Sequence, residues 1–137
     1  MDTNIEQAAA ALASMAATRE DILAAAAKAK ATPNMTVVPA PELGPGRTIL
    51  VRQLDGPSGE ALERSHFEKD ESGVFRYQTA GQVVRWVLAC ACDQQGNRLF
   101  APSDLAAVSD LPFSLLDRIF TEAKKLNEPD LEAAAKN

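Results

Sequence analysis

One nearly uncharged segment constrains the fold of this chain more than any other feature. Residues 79–91 contain a single charged side chain, Arg85. The apolar positions recur with the 3.6-residue period of an α-helix, and two more apolar residues form a second side. These positions are Ala80, Val83, Val84, Val87, Leu88 and Ala91, with Trp86 and Cys90 on the second side. Because a helix that is apolar on most sides must be covered on more than one face, we predict a central helix against which the domain packs.

Two short runs of β-branched residues flank a proline-rich connection. Residues 36–38 and 47–52 have the composition of strands, and Pro39, Pro41 and Pro45 lie between them. Since proline cannot donate a hydrogen bond to a neighbouring strand, the first run suits the edge of a sheet. We therefore predict a short antiparallel pair with a long, irregular connection.

Capping residues mark the start of a helix after the second strand. Asp55 is placed to cap it and Pro57 lies in its first turn. Leu62 and His66 share one side of this helix, and its polar pattern continues to Glu68. We expect His66, the only histidine of the chain, to be an amphipathic surface residue, because it has no second ligand-type side chain at metal-binding spacing.

Two more helical starts follow the central helix. Pro102 suits the first position of a short helix, and the charge of Asp104 then meets the helix dipole. Residues 110–112 restart a longer helix in the same way, and residues 127–129 end it. Its predicted buried face consists of Leu115, Leu116, Ile119, Phe120, Ala123 and Leu126. Residues 74–77 are too short a run to assign.

The balance of these patterns predicts the fold class. Four helical patterns against two short strand patterns indicate an α+β fold, predominantly helical, with a small antiparallel sheet of two or three strands. The predicted organisation has an alanine-rich helical N-terminal arm at residues 1–31, a single α+β domain at 32–127 and a polar C-terminal tail at 128–137.

The arm is the first candidate for binding a partner. It contains 13 alanines, which favour a helix but offer little area to bury. Thr18 can begin a second helix, so the arm is either one helix or two joined near Ala17. Ile5, Leu12 and Met15 lie near one stripe, and we predict that they contact a partner. The alternative is that they close the arm onto its own domain or onto a sister subunit.

Composition and charge exclude several classes of protein. The formal net charge is −5 and the sequence pI is about 4.9, whereas a nucleic-acid binder needs clustered basic residues. No apolar run approaches the ~20 residues that cross a bilayer. The first residues lack the basic region of a secretory signal, so we expect a cytoplasmic protein with neither a nucleic-acid nor a membrane partner.

The segment after the central helix contains acidic residues, amides and a glycine, as a calcium-binding loop does. Counted from Asp93 as a calcium loop, it carries Arg98 where glycine is required and Asp104 where a glutamate is required. We therefore predict a tight turn with Asp93 first and Gly96 fourth, after which Leu99 and Phe100 fold back onto the core.

The remaining candidates for chemistry are few. On a helix, Cys90 and Cys92 would point about 200° apart and could not share a metal or a disulfide. On a strand they would share a face, but their Cα atoms would be ~6.6 Å apart, near the upper limit for a disulfide. We therefore interpret them as buried, reduced thiols. The sequence has no glycine-rich phosphate loop, no GxSxG elbow, no HExxH and no CxxC pair. We expect no enzymatic activity, no cofactor and no bound metal, and the residues alone indicate a mostly helical domain of the interaction type.

The order of segments carries a resemblance to a known family. A strand ending in Arg52-x-Leu54-x-Gly56 leads into a helix, and "VVRWVLACACDQQGNRLFAPSDLAAV" occupies residues 83–108. The most distinctive piece is Cys92-Asp93-Gln94-Gln95-Gly96-Asn97-Arg98-Leu99-Phe100. Over about residues 19–137 the chain resembles the tail assembly chaperones of long-tailed bacteriophages. Residues 1–18 are extra relative to that pattern, and residues 70–78 have the character of a variable loop.

The resemblance implies a protein that works by binding. Such chaperones bind the long, helical tape measure protein and keep it soluble in the host cytoplasm, and they are absent from the mature virion. A form extended by ribosomal frameshifting recruits tail tube subunits. Self-association of this chain into a homo-oligomer is a further possibility. The alternatives are a structural tail subunit, either a tube or a terminator protein, and a generic protein-interaction module. A tube protein needs long strands, and this sequence has too few.

Overall fold

The computed structural model describes residues 3–128, apart from the side chains of residues 13 and 14. The described part of the chain divides after Thr32 into two compact units. The tail predicted at 128–137 lies, beyond Glu128, outside the described residues.

The N-terminal unit consists of two helices, α1 at Thr3–Met15 and α2 at Arg19–Ala31. Thr18 begins α2 with a reciprocal capping box. The Asp21 backbone N–H donates to the Thr18 hydroxyl at 3.1 Å, and the Thr18 N–H donates to the Asp21 carboxylate at 2.9 Å. Of the two arrangements that the sequence allowed for the arm, the structure therefore has two helices.

The second unit alternates short strands and helices. Its strands are β1 Met35–Pro39, β2 Thr48–Arg52, β3 Phe67–Lys69, β4 Phe75–Tyr77 and β5 Ala91–Cys92. Its helices are α3 Gly56–Ser65, α4 Gln82–Cys90, α5 Leu105–Ser109 and α6 Phe113–Asn127, with 3₁₀ turns at Pro41–Leu43 and Pro102–Asp104. The α+β fold with dominant helices and a small antiparallel sheet is confirmed.

The main sheet has three antiparallel strands in the order β1-β2-β5. Val37 pairs with Leu50, and Leu50 pairs in turn with Cys92. β1 lies at an edge, as expected from the prolines that surround its end. β5 was not predicted, because its first residue, Ala91, completes the apolar period of α4. The chain instead leaves the helix at Ala91, whose φ of −61° and ψ of 130° are extended.

α4 is the central helix that its sequence predicts. It contacts α3, α5 and α6, and it buries Trp86, Val87, Leu88 and Cys90. Ala80 was wrongly assigned to this core. The helix begins only after Gly81, which adopts the left-handed region at φ 78°, and Ala80 is left exposed in the preceding turn.

α6 covers one side of α4. Four residues of its predicted face, Leu115, Leu116, Ile119 and Ala123, are buried, whereas Phe120 and Leu126 are only half-buried. Phe120 meets Trp86 edge to face, with ring centroids 5.9 Å apart. The end of α6 is attached to the segment that follows β2, since the Leu54 N–H donates to the Asn127 side-chain oxygen at 2.7 Å.

Candidate functional site

The arm presents the three side chains predicted to contact a partner. Ile5 is 66% exposed, Leu12 is 71% exposed and Met15 is 82% exposed. Ile5 and Leu12 are two turns apart on nearly the same side of α1, and Met15 is rotated from Leu12 by about 60°. α2 adds exposed Ile22 and Leu23. These apolar side chains are available for binding, and their role in it stays a prediction.

A second exposed apolar surface lies on the β3–β4 hairpin. Phe67 pairs with Tyr77 and Lys69 pairs with Phe75, so all four side chains stand on one side of the hairpin. Phe75 is 66% exposed, and Phe67 and Tyr77 are also exposed. The Phe67 and Tyr77 rings meet edge to face at 5.4 Å, and the Lys69 ammonium lies 5.7 Å from the Phe75 ring. We call this surface the hairpin face.

The turn of the hairpin is organised by one carboxylate. One oxygen of Asp70 accepts the backbone N–H groups of Ser72 at 3.0 Å and Val74 at 2.9 Å. The other accepts the Arg76 Nε–H at 2.7 Å. The Arg76 contact, followed by those of the turn, lowers the pKa of Asp70 to about 2. The Asp70 carboxylate that organises this turn is therefore ionised at neutral pH.

Sequence reasoning missed the hairpin. It continued α3 to Glu68, whereas the helix ends at Ser65 and Glu68 lies in β3 opposite Arg76. Residues 70–78 were interpreted as a variable loop. The signal that could have found the hairpin is the alternation of aromatic residues on both sides of an acidic turn that ends in Gly73.

His66 is buried, and the expectation of a surface residue was wrong. It is 1% exposed, and its Nδ1 accepts the Arg85 Nε–H at 2.9 Å. Because Nδ1 accepts, the ring proton of the neutral imidazole is on Nε2. Burial, followed by the nearby Arg85 charge, lowers the pKa of His66. The ring turns inward because α3 ends just before it and Arg85, distant in sequence, supplies a partner.

The two cysteines are buried and free, as predicted. Burial raises the pKa of Cys90 to about 12 and also raises that of Cys92. Both side chains are therefore thiols at neutral pH, and a thiol is a poor nucleophile and a poor metal ligand.

The tight turn after β5 is confirmed. The Gly96 N–H donates to the Asp93 carbonyl at 3.0 Å. The Asp93 carboxylate accepts the backbone N–H groups of Gln95 and Asn97, each at 2.9 Å. Phe100 packs against the core, but Leu99 is 50% exposed, so its predicted return to the core was wrong. The Leu99 backbone N–H donates to the β5 carbonyl of Ala91 at 3.0 Å.

Within residues 3–128, no group of three or more histidine, cysteine, aspartate and glutamate side chains is placed to hold a metal ion. In the same range, no helix combines the length and apolar character needed to span a bilayer. Comparison with known proteins finds no family model that matches this chain, and no match among curated proteins or solved structures.

Proposed function

We propose that this chain is a non-catalytic chaperone of phage tail assembly, which binds the tape measure protein in the host cytoplasm and keeps it soluble. The supporting observation is the exposure of Ile5, Leu12 and Met15 along an alanine-rich helix. The second unit has a core of its own around α4.

The energy available from the arm suits a partner with many binding sites. Burying three side chains of this size contributes about 5 to 8 kcal/mol before the cost of ordering the partners. That is marginal for a single pair of molecules. It suffices when several copies that are joined in an oligomer line one long helical chain, because a copy that is already bound raises the effective concentration of the copies joined to it. Self-association of the chaperone and a frameshift-extended form that recruits tail tube subunits belong to the same proposal.

A structural tail subunit is supported less well. β1 and β2, the longest strands among residues 3–128, have five residues each. A tube ring built from extended sheets needs longer strands than these. The acidic net charge of −5 instead suits a holding complex, since like-charged complexes repel one another and stay dispersed.

Co-expression with the tape measure protein of the same genome tests the function and the site together. The chain is expressed as wild type, with Ile5, Leu12 and Met15 all changed to Ser, and with Gln7→Ser and Ala10→Ser as a control. The control residues lie roughly 140° to 200° around α1 from Ile5. Circular dichroism verifies that all variants keep their helices.

We expect the tape measure protein in the soluble fraction with the wild type and the control, and in the pellet with the triple variant. If the triple variant keeps it fully soluble, the arm is not the contact. If the wild type also leaves it in the pellet, the chaperone proposal is wrong.

A further inference from the structure

A cleft of about 310 Å³ opens between α3, α4, β2 and the segment that leads into α5. Its walls are mostly apolar, with two serine hydroxyl groups among them. The apolar residues are Ala61, Leu62, Leu88, Ala89, Pro102 and Leu105. Every charged residue that lines the cleft is an arginine: Arg52, Arg85 and Arg98. Three like charges in one recess are unexpected in a chain of net charge −5.

Backbone carbonyl groups, not carboxylates, hold these arginines. Arg52 donates from Nε and Nη2 to the Ala89 carbonyl at 3.2 and 3.0 Å. Arg98 donates from Nε to the Leu88 carbonyl at 2.9 Å. Arg85 donates to two carbonyls that precede α4, in addition to His66. Among the described carboxylates, none forms an ion pair with any of the three.

The contacts with α4 explain the positions of two arginines but leave their charge largely unmatched. Arg52 and Arg98 bind carbonyl groups in the last turn of the helix, where the helix dipole carries about half a negative charge. The Asp55 carboxylate offsets part of the Arg52 charge, since hydrogen bonds from Ser58 and, to a lesser degree, the Arg52 charge lower the pKa of Asp55. Among the described residues, no carboxylate forms an ion pair with Arg85 or Arg98. The cleft has an excess of positive charge that a bound anion would neutralise.

Hydrogen-bond donors remain for such an anion. A guanidinium has five N–H donors. Among the described residues, Arg98 uses only its Nε–H, which leaves both Nη groups. Arg52 uses three donors, including an Nη1 contact of 3.4 Å with the Gly96 carbonyl, and Arg85 also uses three. Arg98 is therefore the arginine best able to form a two-pronged contact with a ligand.

We propose that this cleft binds a carboxylate on an apolar stem, presented by an acidic, leucine-containing segment of a protein partner. Guanidinium groups match a carboxylate with two parallel hydrogen bonds. The apolar walls formed by Leu62, Leu88 and Leu105 would take the methylene stem and a neighbouring leucine. The volume is at the small end for ligand sites, which suits one or two side chains. This site is separate from the arm, and its existence does not depend on the chaperone proposal.

Two synthetic peptides test the inference without any tape measure protein. One is a ten-residue peptide of leucine and glutamate with capped ends and a fluorescein label. Its leucines recur at every third or fourth position, as on one face of a helix. The other has every glutamate replaced by glutamine, which keeps length and shape and removes the charge. Binding to the full chain is followed by fluorescence anisotropy at low salt. We expect the acidic peptide to bind at least about tenfold more tightly than its neutral twin.

Variants then locate the site. Arg98→Gln should weaken binding of the acidic peptide by about tenfold, and Arg98→Lys, which keeps the charge, should weaken it less. Arg47→Gln is the matched control, because Arg47 is exposed and does not line the cleft. Near-ultraviolet circular dichroism of Trp86 checks that the variants remain folded.

Three results of the peptide-binding measurements would overturn the inference. They are equal binding of the two peptides to the wild type, unchanged binding by a folded Arg98→Gln variant, and an equal loss in the Arg47→Gln control. A competition experiment identifies the chemistry of the ligand. Hexanoate should displace the peptide at a lower concentration than inorganic phosphate does. More effective displacement by phosphate would refute the assignment of a carboxylate on an apolar stem. The comparison of the two peptides on the wild type decides the matter even if an arginine variant fails to fold.

Discussion

Arg118 and Glu42 join α6 to the connection between β1 and β2 through a two-pronged ion pair. Arg118 Nη1 lies 2.8 Å from Glu42 Oε1, and Nη2 lies 3.0 Å from Oε2. Nη1 also donates to the Pro39 carbonyl at 2.9 Å, and the Ser114 hydroxyl donates to Glu42 at 2.9 Å. One helix thus holds the irregular, proline-rich connection against the sheet.

This ion pair predicts how stability depends on pH. The Arg118 contact lowers the pKa of Glu42 from its ordinary 4.5 to about 2. Because the native carboxylate is the stronger acid, the contribution of Glu42 is complete above pH 4.5 and is lost as the pH falls towards 2. Glu42→Gln should therefore lower the urea midpoint at pH 7, and the difference from wild type should shrink over that acid range.

The control for this measurement is Glu71→Gln, which changes an exposed carboxylate outside the contact. Glu71→Gln should shift the urea midpoint little at pH 7 and at pH 2.5. A Glu42→Gln effect that is as large at pH 2.5 as at pH 7 would show that lost packing, and not the charge, explains the change.

Two glycines should respond to alanine in opposite directions. Gly96 has φ of 82°, and a Cβ there would lie 2.9 Å from Pro33 Cγ, so Gly96→Ala should destabilise the chain by roughly 1 to 2 kcal/mol. Gly59 lies within α3 with open space around it, so Gly59→Ala should stabilise by about 0.5 to 1 kcal/mol. Urea unfolding measures both, and the same sign for both would contradict this account of the turn.

The core and the arm should differ in their sensitivity to truncation. Ile119 is fully buried beneath α4, and Ile119→Ala should cost about 2 to 5 kcal/mol. Leu12→Ala removes a similar volume from an exposed site, and it should change the free energy of unfolding by less than about 0.5 kcal/mol. A large loss for Leu12→Ala would show that the arm packs against something in the free protein and is not available to a partner.

The hairpin face depends on Asp70. Replacing it with Ala removes the acceptor for the backbone N–H groups of Ser72 and Val74 and for the Arg76 guanidinium. We expect amide hydrogen exchange of β3 and β4 to accelerate while that of α4 and α6 is unchanged, because the hairpin opens locally. Glu71→Ala is the control in the same turn. Unchanged exchange in the Asp70 variant would mean that strand pairing alone holds the hairpin.

Elements that depend on local residues were predicted well. Thr18 and Asp21 begin α2, and Asp55 and Pro57 begin α3, because capping involves side chains and backbone groups only a few residues apart. The apolar period of α4 also identified the centre of the core.

Features that depend on distant residues were missed. His66 is buried because Arg85 reaches it from another helix, which no local pattern reveals. The cleft was missed for the same reason, since Arg52, Arg85 and Arg98 lie far apart in the chain and meet only after folding. β3 and β4 have three residues each, too few for a period to be recognised.

The most direct measurement of the central claim follows the tape measure protein itself. The purified tape measure protein is diluted from denaturant with and without an excess of this chain, and aggregation is followed by light scattering. We predict that the chain suppresses scattering and that size-exclusion chromatography recovers a complex with several copies of it per tape measure molecule. Scattering that is the same with and without the chain, and no complex on the column, would contradict the account.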